Sequence, residues 1–97
     1  MYMSDEGIHF LESIVDKSEA TITQYVRQYV NLTRLLGTEI CAATQKRILS
    51  VIDESDYNLN SEQALLNVAV LVRRENEYEN AQLIARRTEN LARLKEN

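Results

Sequence analysis

Asp5, His9 and Glu12 stand at positions i, i+4 and i+7 of a 97-residue chain. On a helix this spacing puts one imidazole and two carboxylates on a single face, a donor set that suits a divalent metal. No dedicated fourth ligand accompanies them, and acidic residues in a first turn answer the helix dipole equally well. No metal is therefore expected. Asp56-Tyr57-Asn58-Leu59-Asn60-Ser61 places oxygen donors at alternate positions, as the first half of a calcium loop does. Such a loop needs glycine sixth and a bidentate glutamate twelfth, where this chain has Ser61 and Asn67. A loop running into a helix cap explains the same residues.

His9 and Cys41 are the sole histidine and cysteine and belong to separate predicted helices. Cys41, between Ile40 and Ala42-Ala43, reads as a small buried thiol rather than a nucleophile. With Gly7 and Gly37 as the only glycines there is no phosphate loop, which excludes nucleotide hydrolysis of the P-loop type. No catalytic, metal or cofactor residue is assigned, and an enzyme is the least expected class.

Arg73-Arg74 and Arg86-Arg87 lie thirteen residues apart, with Arg93 seven beyond Arg86. On one continuous helix thirteen residues turn through about 1300°, so the pairs face apart and form no single phosphate track. Glu77 is in reach of Arg73, and Glu89 of Arg86 and Arg93, while Arg74 can lie over Tyr78. This predicts a solvated, salt-bridged face, with an anionic partner surface as the alternative and a nucleotide the less favoured one. Tyr25 and Tyr29 stand one turn apart, a spacing that serves a packing edge or a protein interface.

These residues need elements to hold them, and composition decides which kind. There is no proline and there are two glycines, whereas a sheet protein needs turn residues at regular spacing. The chain is predicted to be all-α: one domain over residues 1–97, a small bundle of four or five helices with antiparallel hairpins. Ser4 before Asp5-Glu6 starts the first helix, which runs to about Asp16. Asp16-Lys17-Ser18-Glu19 has a capping-box pattern, and Ile22, Tyr25, Val26, Tyr29, Val30, Leu32 and Leu36 form the stripe of a second helix. Gly37 is a stop and restart, or a kink, before Ile40, Ala43, Ile48, Val51 and Ile52 carry the pattern to about Asp53. Glu54 to Leu59 is a loop, and Asn60-Ser61-Glu62-Gln63 a second capping box, with Leu59 and Ala64 stapling it. Ala64 to Val72 is rich in β-branched residues, yet its capped start and lack of a partner strand favour helix.

The net charge of −4 argues against a nucleic-acid or anionic-membrane binder. Residues 1–72 hold five basic against ten acidic side chains, and residues 73–97 six against five, so the two parts can attract within or between chains. The acidic Met1–Glu6 is no secretory leader. The longest apolar block is half the length of a membrane span, and one cysteine demands no oxidising compartment. A soluble, cytoplasmic protein is expected. With Ala64–Val72 apolar on nearly every face, a protein partner or homo-oligomer is expected to cover it.

Residues 64 to about 88 resemble one tetratricopeptide motif. Leu65, Val68 and Ala69 match the large, large and small packing positions of its first helix. Asn76-Glu77-Tyr78-Glu79-Asn80-Ala81 is similar to its turn, followed by the small residue at the helix crossing. Asn76 replaces the turn glycine, an asparagine being tolerant of positive φ. Ala85 and Thr88 depart from the usual aromatic and alanine, the closing proline is missing, and no second copy follows. In size, charge and this motif the chain is also similar to the small helical co-chaperones of type III secretion needle subunits. The resemblance implies a helix pair that cradles a helical segment of a partner, as a chaperone or adaptor does. The expected partner contacts are Tyr25, Tyr29, Tyr78, Leu83, Arg86 and Arg87. The alternative is an oligomeric phage- or plasmid-type inhibitor, or a nucleotide-sequestering protein.

Overall fold

The structure, a computed structural model, describes residues 5–96. These form five α-helices and one 3-10 turn: α1 Asp5–Ile14, α2 Glu19–Leu36, the turn Ile40–Ala42, α3 Gln45–Glu54, α4 Leu59–Glu75 and α5 Ala81–Lys95. The all-α bundle is as expected; the cap assigned to Ser4 lies outside the described residues. No helix among those described is long and apolar enough to cross a membrane.

Two helix starts differ from the sequence reading by two residues. α2 is capped by Ser18, not Asp16: the Ser18 hydroxyl accepts from the Thr21 N–H at 3.3 Å. Asp16 and Lys17 are used up in leaving α1, the Lys17 N–H bonding the Ile14 carbonyl at 3.0 Å. Likewise α4 starts from Asn58, whose Oδ1 accepts from the Ser61 N–H at 2.9 Å, not from Asn60. Both true caps are extended residues placed three before an unpaired N–H, which the capping geometry demands. Gly37 is a full stop. Its φ of 71° ends α2 in the left-handed region, and α3 restarts from its own cap, Thr44.

α4 is the central helix, packed by α1, α2, α5 and the 3-10 turn. Leu65, Leu66, Val68, Ala69, Val70 and Val72 are all buried, as suits a helix that is apolar nearly all round. Of Ala64–Val72, the chain's own helices bury all but Ala64 and Leu71, which are half-buried, and Asn67, which is exposed, so most of this apolar block is covered without a partner. Phe10, Ile14, Leu32, Ile40, Ile48, Ile52 and Leu83 complete the core. The apolar surface left open on α5 is at Ile84 and Leu91.

α4 and α5 form an antiparallel hairpin. The Gln63 amide donates to the Arg87 carbonyl at 3.1 Å, the Asn90 amide meets the Glu62 carboxylate, and the Asn80 amide reaches the Val70 carbonyl at 3.4 Å. The turn between them is a Schellman motif: the Tyr78 N–H bonds the Arg73 carbonyl at 2.8 Å, and the Glu77 N–H the Arg74 carbonyl at 3.0 Å. Its left-handed residue is Glu77, φ 64°, whereas Asn76, expected there, has φ −106°. Ala81, expected at the helix crossing, is exposed; of that pair Ala69 alone is buried. A glutamate at positive φ is strained by its own Cβ, at about 1–2 kcal/mol. Glu77→Gly relieves this at some cost in unfolded-state entropy, so a net gain of about 0.5–1 kcal/mol in urea unfolding is expected. A loss would show that the glutamate side chain stabilises the turn.

Candidate functional site

The six expected partner-contact residues separate in the fold. Leu83 is fully buried, and Tyr29 is buried with its ring stacked on Phe10 at 4.8 Å and its hydroxyl donating to Glu6 at 2.9 Å. Both belong to the core and have no surface to offer a partner, which corrects their assignment. Periodicity places a residue on the inner stripe but cannot say how completely neighbours cover it. Tyr78 is exposed beside the buried Arg73, whose guanidinium lies 5.4 Å from the ring centroid. Arg86 is engaged by Asp53 at 2.7 Å and Glu62 at 3.7 Å, so it braces α5 against α3 and α4. The Arg86 guanidinium in turn holds the Asp53 carboxyl below its ordinary range. Tyr25 and Arg87 remain, and they meet on one surface.

That surface is a groove between α2 and α4. Ala20, Thr21, Gln24, Tyr25 and Gln28 fall on one face of α2 at helical spacing, opposite Ala64 and Asn67 of α4. The small side chains of Ala20 and Ala64 leave open a mostly apolar hollow of about 340 Å³. Tyr25 and Asn67 also line a second hollow of about 150 Å³, with Lys17, Val70, Leu71, Arg74 and Arg87, so the two adjoin at these residues.

The second hollow is basic and has no carboxylate in its lining. The Lys17 ammonium stands 5.9 Å from the Tyr25 ring centroid, and Arg87 donates to the Asn67 Oδ1 at 3.3 Å. Among the described residues no carboxylate lies within ion-pair distance of Lys17, Arg74 or Arg87. The opposite face of α5 is different. There Asp53, Glu62 and Glu89 line a hollow together with Arg86 and Arg93, and every arginine is paired.

The arginine pairs are thus divided within themselves. Arg73 was expected on a solvated face beside Glu77; it is instead buried and donates to the Asn80 side chain and to the Ala43 and Glu79 carbonyls. The residue over Tyr78 is Arg73 rather than Arg74. Arg74 and Arg87, facing apart on a continuous helix, share one hollow because the chain folds back. Lys17, Gln24, Ala64 and Asn67 were not among the contact residues expected from sequence, Ala64 being read as a helix staple. Asn67 opposite Arg87 follows from the hairpin register, but Lys17 carries no local signal.

Asp5, His9 and Glu12 are exposed along α1, and among the described residues no group of three or more metal-binding side chains is close enough to hold an ion. Cys41 is half-buried beside the Val72 carbonyl. Burial first, then the Glu6 carboxylate, pushes its thiol up from 9.0 to about 12. The unfolded chain releases this proton first, so stability is lost as pH rises from about 9 toward about 12. At pH 9 alkylation of the folded protein is expected to be on the order of a hundredfold slower than in urea. Equal rates would show a freely ionising thiol. Comparison with protein-family models, with curated proteins and with solved structures gives no match.

Proposed function

We propose that this chain is a helical protein-interaction module, a chaperone or adaptor that holds a helical segment of a partner against α2 and α4. The observation that carries this reading is a pair of adjoining hollows that share Tyr25 and Asn67, the first mostly apolar and the second lined by Lys17, Arg74 and Arg87. A hollow of about 340 Å³ is too small for a whole helix but receives the ridge of side chains along one helical face. The cationic end selects a segment with negative charge there, and the apolar end anchors its large side chains. Further support comes from the α4–α5 hairpin, on which the resemblance to a tetratricopeptide helix pair rests.

Ala64 offers the test, since it is partly exposed and lines the hollow. Ala64→Trp fills the groove with little expected change in unfolding midpoint. Peptides of twenty residues selected from a random display library on the native protein are expected to bind the variant about tenfold more weakly or worse. They are also expected to gain helicity on binding. Selected peptides that bind native and variant protein equally would overturn the groove as the binding surface.

A further inference from the structure

We propose that the cationic end of the groove, formed by Lys17, Arg74 and Arg87 with Tyr25 and Asn67, is a seat for a phosphate monoester. The argument is one of charge and shape. Three cationic residues line one hollow of about 150 Å³ that has no carboxylate in its lining, in a chain whose net charge is −4. On α5, Arg86 is paired with Asp53 and Glu62, and Arg93 with Glu89. Arg27, Arg34, Lys46 and Arg47 also lack a carboxylate within ion-pair distance among the described residues, so what sets Lys17, Arg74 and Arg87 apart is that they line one hollow together, with no acid in it.

A single carboxylate would neutralise one of the three charges. A phosphate monoester carries about −1.5 to −2 at neutral pH and presents three acceptor oxygens, a closer match. Two guanidinium forks bind such oxygens in pairs, and the lysine adds a mobile point charge. Asn67 already holds the Arg87 fork, at 3.3 Å, and the Tyr25 ring stands beside the Lys17 ammonium at 5.9 Å, so two of the three cations are partly positioned without an anion. The site as such does not depend on the partner-binding reading; the source of the phosphate does. Under that reading it is a phosphorylated side chain of the bound segment, and the competing source is a nucleotide.

The test is a titration of isotope-labelled protein followed by amide and guanidinium resonances. Inorganic phosphate is expected to shift Lys17, Asn67, Arg74 and Arg87 saturably, and to bind about tenfold tighter than acetate at the same ionic strength. Arg74→Gln with Arg87→Gln should weaken phosphate by about a hundredfold, while Arg93→Gln, on the paired face, should leave it unchanged. Thermal melts confirm that each variant is folded. Acetate binding as well as phosphate, or shifts that survive the double substitution, would overturn the phosphate seat without touching the peptide groove. A capped phosphoserine peptide and a nucleoside monophosphate then identify the source. Tighter binding of either than of free phosphate supports the seat, the first assigning it to a protein segment and the second to a nucleotide. Weaker binding of both would show that no ester fits, and would overturn it.

Discussion

Replacing Arg73 with alanine is expected to remove about 3–5 kcal/mol of stability, while the same change at Arg74, next in the chain, should stay within about 0.5 kcal/mol. Arg73 is 6% exposed, and its guanidinium donates to Asn80 Oδ1 at 3.1 Å, the Ala43 carbonyl at 2.7 Å and the Glu79 carbonyl at 2.9 Å. Those acceptors belong to three places: the end of the 3-10 turn, the hairpin turn and the start of α5. One side chain thus fastens α4 to the end of the 3-10 turn and to the hairpin that leads into α5. Among the described residues no carboxylate lies within ion-pair distance of this charge. It is met by carbonyl dipoles, by the negative end of α4, in whose last turn it lies, and by the Tyr78 ring. Truncation leaves two buried acceptors, Asn80 Oδ1 and the Ala43 carbonyl, without this donor and a third, the Glu79 carbonyl, part-buried, each buried one at about 1–3 kcal/mol and not additively. A domain of this size is stable by roughly 5–15 kcal/mol, so the variant should unfold at markedly lower urea concentration. Lysine, with no planar fork, should recover little of the loss. A drop below about 1 kcal/mol for Arg73→Ala would show that water reaches these acceptors, and that the hairpin is held by packing alone.

Arg73 and Arg74 also show where sequence reading reached its limit. The helical class followed from the absence of proline and the scarcity of glycine, and the apolar spacing traced α1 to α4, whereas the break between α4 and α5 rested on the turn chemistry of Asn76-Glu77-Tyr78 and not on spacing. What local pattern could not supply was direction in three dimensions. Two adjacent arginines are identical as letters, yet one turns into the crevice behind the hairpin and the other into the open groove. Leu83 and Tyr29 read as available surface because covering depends on α4 lying at the centre, which no short window of sequence reveals. The capping boxes at Asp16 and Asn60 failed for a related reason: several acceptors in a row compete, and the winner is the one whose backbone is extended when the previous element releases the chain. The groove was out of reach altogether. Its walls come from α2 and α4, some forty residues apart in sequence, and its opening is made by alanines, which carry no chemical signal.

Glu6 was likewise read as one more acid in a first turn, and its substitution is the second large effect expected. The residue is 5% exposed. Its carboxylate accepts from the Tyr29 hydroxyl at 2.9 Å and from the Ile40 and Cys41 N–H groups at 3.0 and 2.6 Å. The last two are free donors at the start of the 3-10 turn, which Glu39 does not cap with its own side chain. Among the described residues no cation lies within ion-pair distance of this carboxylate, and three donors converge on it instead. Glu6→Ala strands those donors and should cost about 2–4 kcal/mol. Glu6→Gln keeps one acceptor oxygen but turns an amide toward donors, and an intermediate loss is expected. Tyr29→Phe, which removes one donor and leaves the capping intact, should cost only about 1 kcal/mol. A second readout separates local from global damage. Glu6 is among the causes that raise the Cys41 thiol, after burial, so its removal should lower that pKa and speed alkylation under conditions where the variant remains folded. Tyr29→Phe should leave the alkylation rate near that of the native protein. Equal stability losses in Glu6→Ala and Tyr29→Phe, with Cys41 unresponsive in both, would mean that the carboxylate does not cap the 3-10 turn and that α1 is held by Phe10 and Ile14 alone.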